Sequence, residues 1–298
     1  MAALVALSHF GVQAGGFNPG QWAVISFYTL SGLLMERQFH KLSRKGNGTP
    51  AFYLDRLLRI YPLYLVVLSL AWAGSRLSWG GVLANVTLLP LNYSYFTGVP
   101  VLIGPAWSLA CEAHFYLLVP LLVLCSTRTL RVLLCASLLF FATSPFMAHS
   151  AFWAYTGLPG ILFAFLTGIL ISRKDRALIK ILWLVMLIFL IAFGVTKCFH
   201  AGLPTGININ VAIGYLIAAL AVPFLDGFSP NLKWDRLLGL FSYPLFLCHG
   251  IVADFFYNHW QALNPLALLL ASIMFSAILI LAVEIPFDRI RYRIRASM

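Results

Sequence analysis

The stretch Trp107-Ser-Leu-Ala-Cys-Glu-Ala-His-Phe-Tyr-Leu-Leu-Val-Pro120 carries a carboxylate, Glu112, inside a long apolar run. On a helix, Ser108, Glu112 and Tyr116 recur every four residues and therefore share one face. A charged side chain in the middle of a bilayer costs roughly 2.5–3.5 kcal/mol on insertion scales. Because such a residue normally faces a protein interior or a wet cavity, the stretch predicts a polar interior beside this helix.

The composition is that of a membrane protein. Of the 298 residues, 61% are hydrophobic and 10% are charged, whereas soluble domains hold about 45–50% and about 25%. About ten spans of roughly 20 residues would use the whole chain, so we predict an all-α, polytopic helical bundle that forms one domain over residues 1–298. The predicted spans are 1–15, 20–36, 55–74, 105–126, 129–148, 154–172, 178–197, 207–225, 237–257 and 265–285.

The basic residues predict the orientation of these spans. All 20 Lys and Arg residues except Arg76 and Lys197 fall in segments on one side of the predicted membrane, which the positive-inside rule assigns to the cytoplasm. We therefore expect a multi-pass protein of the cell (inner) membrane with both termini cytoplasmic. The net charge of +11 is explained by topology and by the lipid bilayer, so no nucleic-acid partner is expected.

His9 and Glu112 are candidate catalytic residues. By the helical rise, His9 lies roughly 8–9 Å and Glu112 roughly 10 Å below the outer boundary. A histidine beside a buried carboxylate suits general-base catalysis, because the carboxylate fixes the tautomer of the imidazole. The alternative is that each residue only forms hydrogen bonds to neighbouring helices, and the residues by themselves leave both open.

A second candidate site is Asp55-Arg-Leu-Leu-Arg-Ile-Tyr-Pro62. Arg56 and Arg59 are three residues apart, so both guanidinium groups can lie on one helix face. They follow a loop that contains the basic residues Arg37 and Lys41. Such a cluster suits an anionic, phosphate-bearing ligand, although a topology signal with attraction to anionic lipid also explains the loop residues.

The third candidate segment is Gly239-Leu-Phe-Ser-Tyr-Pro-Leu-Phe-Leu-Cys-His249. Pro244 frees a backbone carbonyl, which within a membrane indicates a cavity wall. Ser242 and His249 would then be supporting polar residues of the interior, and an inert contact between helices is the alternative.

Two shorter features and the cysteines favour structural roles. The small residues Ser31-Gly32 permit close approach of helices, and packing is the simplest interpretation. Glu284-Ile-Pro-Phe287 is expected to stop the last span with a carboxylate that reaches the interface. The five cysteines form no CxxC pair, so we expect neither a disulfide framework nor a metal site.

Five segments in this order resemble the membrane acyltransferase-3 family of bacterial O-acyltransferases. The resemblance implies about ten spans and the transfer of an acyl group from cytoplasmic acyl-CoA to a hydroxyl, often of an extracytoplasmic polysaccharide. The matching pieces are Phe27-Tyr-Thr-Leu-Ser-Gly-Leu-Leu34, Arg56-Leu-Leu-Arg-Ile-Tyr-Pro62, Trp107 to Pro120, Leu238 to His249 and Val283-Glu-Ile-Pro-Phe287.

By this resemblance, His9 matches the histidine that acts in acyl transfer in the family. Arg56, Arg59 and Glu112 match other recurrent polar positions. The family also has an arginine eleven positions before the histidine, which here would precede Met1. Because the first span is also short, we expect the first helix to be N-terminally truncated in this sequence.

We therefore expect acyl-CoA, with acetyl as the acyl group, as donor substrate, a carbohydrate as acceptor and no bound cofactor. One alternative is acylation of a small hydroxylated metabolite such as a macrolide sugar. The other is a glycolipid or polysaccharide transporter or flippase, because intramembrane His, Glu and Arg also suit proton-coupled transport.

Overall fold

The computed structural model describes residues 1–44, 46, 48–73, 75, 77–199, 206–227, 233–260 and 264–297, and these ranges contain helices but no β-strand. The α-helices are α1 (Ala2–His9), α2 (Pro19–Ser43), α3 (Gly48–Trp72), α4 (Trp79–Thr87), α5 (Ser94–Thr97), α6 (Ala106–Leu124), α7 (Thr127–Thr143), α8 (Leu158–Ser172), α9 (Arg176–Phe199), α10 (Gly206–Gly227), α11 (Lys233–His259), α12 (Pro265–Leu279) and α13 (Ile285–Ser297). Short 3₁₀ turns lie at Leu89–Tyr93 and Ser144–Phe146, and π-helical turns lie at Phe152–Thr156 and Ile280–Glu284.

Seven helical segments within the described ranges are long and apolar enough to cross a membrane. The predicted all-α, polytopic membrane fold is therefore confirmed. The other three predicted spans fall on α1, α2 and α3, so the number ten and the side of the termini stay predictions. The seven segments are Ala106–Leu124, Thr127–Phe146, Phe152–Ser172, Leu178–Val195, Gly206–Gly227, Leu237–His259 and Pro265–Ile294.

The first predicted span is wrong in its extent. Helix α1 ends at His9, with Phe10 as its C-cap, although the apolar run continues to residue 15. The reason is backbone conformation, because Gly11, Gly15 and Gly16 have φ values of +89°, +58° and +82°, which a right-handed helix cannot contain. The helical rise therefore cannot be used to place His9 relative to residue 15.

The last predicted span also differs from the expectation, since Glu284 does not stop a helix. The chain continues from α12 through the π-helical turn at Ile280–Glu284 into α13. Pro286 lies in the first turn of α13, where its missing N–H is tolerated. Glu284 is only 5% exposed, so it belongs to the interior rather than to the interface.

The chain folds into two compact units. The first unit comprises Met1–Gly16, Leu42–Ala110 and Pro230–Met298. Among its described helices, α11 packs against α1, α3 and α12, and α13 packs against α3. A buried cluster joins α1, α11 and α12 and so holds the end of α1 beside α11; its members are Ala6, Phe10, Ala253 and Leu268.

The second unit comprises Phe17–Lys41 and Cys111–Ser229, and in it α8 packs against α7, α9 and α10. Helices α2 and α8 approach closely at two glycines. A Cβ added to Gly32 would lie 2.0 Å from the carbonyl oxygen of Phe165, and one added to Gly168 would lie 2.0 Å from that of Thr29. The packing interpretation of Ser31-Gly32 is therefore correct. That residues 1–298 form a single domain stays a prediction.

Candidate functional site

Two histidines from distant parts of the sequence contact each other in the first unit. Nδ1 of His9 lies 2.7 Å from Nε2 of His249, although the residues are 240 positions apart. Their rings stack with centroids 5.0 Å apart and an interplanar angle of 27°. His249 is fully buried at 0% exposure, whereas His9 is exposed. The pair therefore combines an accessible imidazole with a buried one.

The local structure explains why these two residues meet. Packing of α1 against α11 carries His9, the last residue of α1, to the middle of α11. The second nitrogen of His249, Nδ1, lies 3.0 Å from the carbonyl oxygen of Leu245, one turn earlier on the same helix. The His249 ring is thus held at both nitrogens. The sequence indicated each histidine separately but not their contact.

The arginines of α3 form ion pairs in the same unit. Arg59 Nη1 lies 2.6 Å from Glu284 Oε2, and Arg56 donates to the carboxylate of Asp55. Asp55 is also 3.2 Å from Nε of Arg291 on α13. The pairing of Arg59 with Glu284 was not expected from the sequence, because the two residues are 225 positions apart.

Helix α11 connects the arginine cluster to the histidine pair. The hydroxyl of Tyr243 donates to the carbonyl oxygen of Ile60 at 2.8 Å, and the guanidinium carbon of Arg59 lies 5.5 Å from the centre of the Tyr243 ring. Tyr243 precedes His249 by six residues, which is roughly 9 Å along a helix. A cationic cluster and an accessible imidazole therefore lie along one helix. Ser242, a predicted supporting residue, is half-buried beside Tyr243.

Glu112 belongs to the second unit and is 4% exposed. Its Oε1 accepts hydrogen bonds from the hydroxyl of Ser31, at 2.7 Å, and from that of Tyr116. The bond from Tyr116 agrees with the shared helix face that the four-residue spacing predicts. Ser108, four residues before Glu112, donates to the carbonyl oxygen of Pro105 at 2.9 Å. The predicted pairing of Glu112 with His9 stays a prediction, since the two residues belong to different units.

Two other predicted ligands of acyl-CoA also belong to the second unit, and their predicted position in a loop is wrong, because α2 continues past the apolar span to Ser43. Arg37 forms a two-bonded ion pair with Asp226, in which Nη2 lies 2.8 Å from Oδ2. Lys41 is exposed. Their role in binding acyl-CoA stays a prediction.

The similarity to known proteins decides the family. The family model described as an acyltransferase domain, that of acyltransferase-3, matches residues 3–285. The chain belongs to the acyltransferase-3 family. The resemblance found from the five sequence segments is therefore confirmed.

Two known proteins are similar to this acyltransferase-3 protein over most of their own length. It is 25% identical to acyltransferase MdmB of Streptomyces mycarofaciens over 335 aligned residues, which cover 93% of the chain and 83% of the relative. It is 26% identical to an uncharacterized protein of Aquifex aeolicus (strain VF5), with 64% of the chain and 90% of the relative covered. No solved structure gives a significant match.

A buried pair between Glu36 and Arg173 of this acyltransferase-3 protein was not expected from the sequence. Glu36 is 2% exposed, and its Oε1 lies 2.7 Å from Nε of Arg173. Arg173 also donates to the carbonyl oxygens of Val123 and Cys125, at 2.8 and 2.7 Å. Val123 lies in the last turn of α6 and Cys125 directly follows the helix. The last carbonyls of a helix have no partner within it, so Arg173 caps the helix that carries Glu112. A carboxylate at the end of the predicted span 20–36 was the available signal.

Proposed function

We propose that this acyltransferase-3 protein is an integral-membrane O-acyltransferase. It moves an acyl group, acetyl in the first instance, from cytoplasmic acyl-CoA to a hydroxyl of a cell-surface or exported carbohydrate. The observation that supports this reaction best is the contact between exposed His9 and buried His249. An accessible imidazole held by a second ring is suited to proton transfer or to covalent catalysis.

In the proposed reaction, His9 removes the proton from the acceptor hydroxyl while the oxygen attacks the thioester carbonyl. The carbon–sulfur bond breaks, and the CoA thiolate takes up the proton from the histidine. In the variant of this mechanism with a covalent step, His9 attacks the thioester, the carbon–sulfur bond breaks and CoA leaves as the thiolate. The acceptor hydroxyl then attacks the acyl-histidine, the acyl–nitrogen bond breaks, and the hydroxyl proton passes to the thiolate. Both routes require one imidazole nitrogen with an available lone pair.

Arg56 and Arg59 are the proposed ligands of the CoA phosphates, aided by Arg37 and Lys41. A guanidinium carries five N–H donors, so the bond from Arg59 to Glu284 leaves donors for a phosphate. The asymmetric distribution of Lys and Arg supports a cytoplasmic position for both termini and for this basic cluster.

The test measures transfer from radiolabelled acetyl-CoA in membranes that contain the protein. With wild-type protein we expect label in the carbohydrate fraction. His9→Ala should reduce the transfer by about 10²–10⁴-fold, the usual contribution of a general base. His259→Ala is the matched control, because His259 is exposed at the end of α11 and should leave the rate unchanged.

Each alternative function predicts a different result in the same assay. Label found in a small, extractable product would indicate a hydroxylated metabolite as acceptor. No transfer by the wild type, combined with movement of a labelled glycolipid across the membrane, would indicate a transporter. Full activity of His9→Ala at equal expression would remove His9 from the mechanism.

A further inference from the structure

We propose that His249 is a positioning residue that holds His9 in the Nδ1–H tautomer and so makes Nε2 of His9 the reactive nitrogen. This inference rests on the proposed function for the role of Nε2. The tautomer itself follows from contacts within the first unit and can be measured without any acyl transfer.

The contact of His249 with the backbone determines which of its ring nitrogens carries the hydrogen. Nδ1 of His249 lies 3.0 Å from the carbonyl oxygen of Leu245. A carbonyl oxygen can only accept a hydrogen bond, so Nδ1 of His249 carries the hydrogen. In a neutral imidazole the other nitrogen then has a lone pair and no hydrogen. Nε2 of His249 is therefore an acceptor.

The surroundings favour the neutral form of His249. The residue is 0% exposed, and its ring lies 6.0 Å from that of Phe10 and 6.5 Å from that of Phe246. Within the described residues, no ion pair joins His249 to a carboxylate. A buried, uncompensated charge is costly, so His249 does not act as an imidazolium here.

The state of His9 follows from that of its neighbour. Its Nδ1 lies 2.7 Å from the accepting Nε2 of His249, and a bond of this length requires a hydrogen on one of the two nitrogens. Because His249 has none on that side, Nδ1 of His9 is the donor. In the neutral form of His9, the lone pair is therefore on Nε2, and the residue as a whole is exposed.

His249 has the role that the aspartate has in a Ser-His-Asp triad, where the carboxylate fixes the tautomer and orientation of the histidine. A neutral orienting group differs in one respect, because it adds no charge within the apolar interior. The stacked rings also restrict rotation of His9. The structure thus offers an orienting partner that lies in the same unit as His9, whereas the sequence suggested Glu112.

The first test is ¹⁵N NMR of the full chain, labelled at histidine and reconstituted in lipid nanodiscs. His9→Gln identifies the His9 signals by their loss. We expect His9 in the Nδ1–H tautomer in the wild type. In His249→Ala it should become mostly Nε2–H, the form favoured in water, and in His249→Gln it should stay Nδ1–H, because the amide oxygen replaces the acceptor. A wild-type His9 in the Nε2–H form would overturn the proposal whether or not the protein transfers acyl groups.

The second test is kinetic. His249→Ala should lower kcat by about 10²-fold or more, the lower end of the contribution of general-base catalysis, while the KM for acetyl-CoA stays unchanged. His249→Gln should recover most of kcat, because its amide oxygen restores the acceptor for His9. If His249 were only structural, restored packing would not raise kcat selectively. Equal rates for His249→Ala and wild type, or an equal loss in the Ala and Gln variants, would refute the positioning role. If the wild type shows no transfer but His9 is in the Nδ1–H form, the proposed function fails and the tautomer assignment stands.

Discussion

The histidine pair of the first unit and the Glu112 cluster of the second unit solve the problem of a polar group in an apolar interior in different ways. Glu112 accepts hydrogen bonds from two hydroxyls on one oxygen and is nearly inaccessible. His249 is equally buried, but its partner His9 is exposed. The partners of Glu112, Ser31 and Tyr116, are themselves buried, whereas the partner of His249 is an exposed histidine.

This difference between the two clusters shows that burial of a polar residue is not by itself evidence of catalysis. A buried group whose hydrogen bonds are satisfied internally stabilises a particular packing. A buried group that holds an accessible titratable residue can also control chemistry. From the sequence, Glu112 was a candidate partner of His9, because a charged side chain in the middle of a membrane is costly and normally faces a polar interior.

The largest expected effect separates the two clusters directly. Glu112→Gln keeps an oxygen acceptor for Ser31 and Tyr116, so we expect it to retain transfer within about tenfold of wild type, whereas His9→Gln loses about 10²–10⁴-fold. Each substitution introduces the same uncharged polar side chain, one in each cluster. The measurement is the rate of label transfer from acetyl-CoA at matched expression. An equal loss in both variants would favour the pairing of Glu112 with His9 over separate roles for the two clusters.

An intermediate effect is expected where α2 and α8 of the second unit approach each other closely. Gly32 follows Ser31, which reaches Glu112, and a Cβ there would meet the carbonyl oxygen of Phe165 at 2.0 Å. Gly32→Ala should lower the free energy of unfolding by about 1–3 kcal/mol, the usual cost of overpacking. Gly194→Ala, on α9 with nothing within 4 Å of the added Cβ, is the matched control. Unfolding in detergent measures both, and equal stability of the two variants would show that the close approach is not required.

The smallest effect is expected at the edge of the same unit. Arg37 is 46% exposed in its ion pair with Asp226, and exposed pairs contribute only about 0.2–1 kcal/mol. Arg37→Gln should therefore leave the free energy of unfolding within about 1 kcal/mol of wild type. A loss of several kcal/mol would mean that the pair is structural. A raised KM for acetyl-CoA at unchanged stability would support its proposed role in donor binding.

Prediction from the sequence succeeded where the free energy of forming a membrane span depends on one contiguous segment. Burial of about 20 apolar residues in a bilayer is a sum over neighbouring residues, so the predicted spans from residue 105 onward lie on the long helices α6 to α12. It failed at α1, where glycine conformation ended the helix at His9 in spite of the apolar run. It failed again at Glu284, where a π-helical turn let the helix continue.

Hydropathy, charge distribution and short motifs are properties of contiguous residues, so the amino-acid sequence was sufficient to predict an all-α membrane protein of the acyltransferase-3 family. The contacts between polar groups became visible only in the folded chain. His9 reaches His249 across 240 residues, and Arg59 reaches Glu284 across 225. Such contacts depend on how α1, α3 and the π-helical turn Ile280–Glu284 pack against α11. Packing energy arises between surfaces that are far apart in the sequence, so a pattern of neighbouring residues does not predict it.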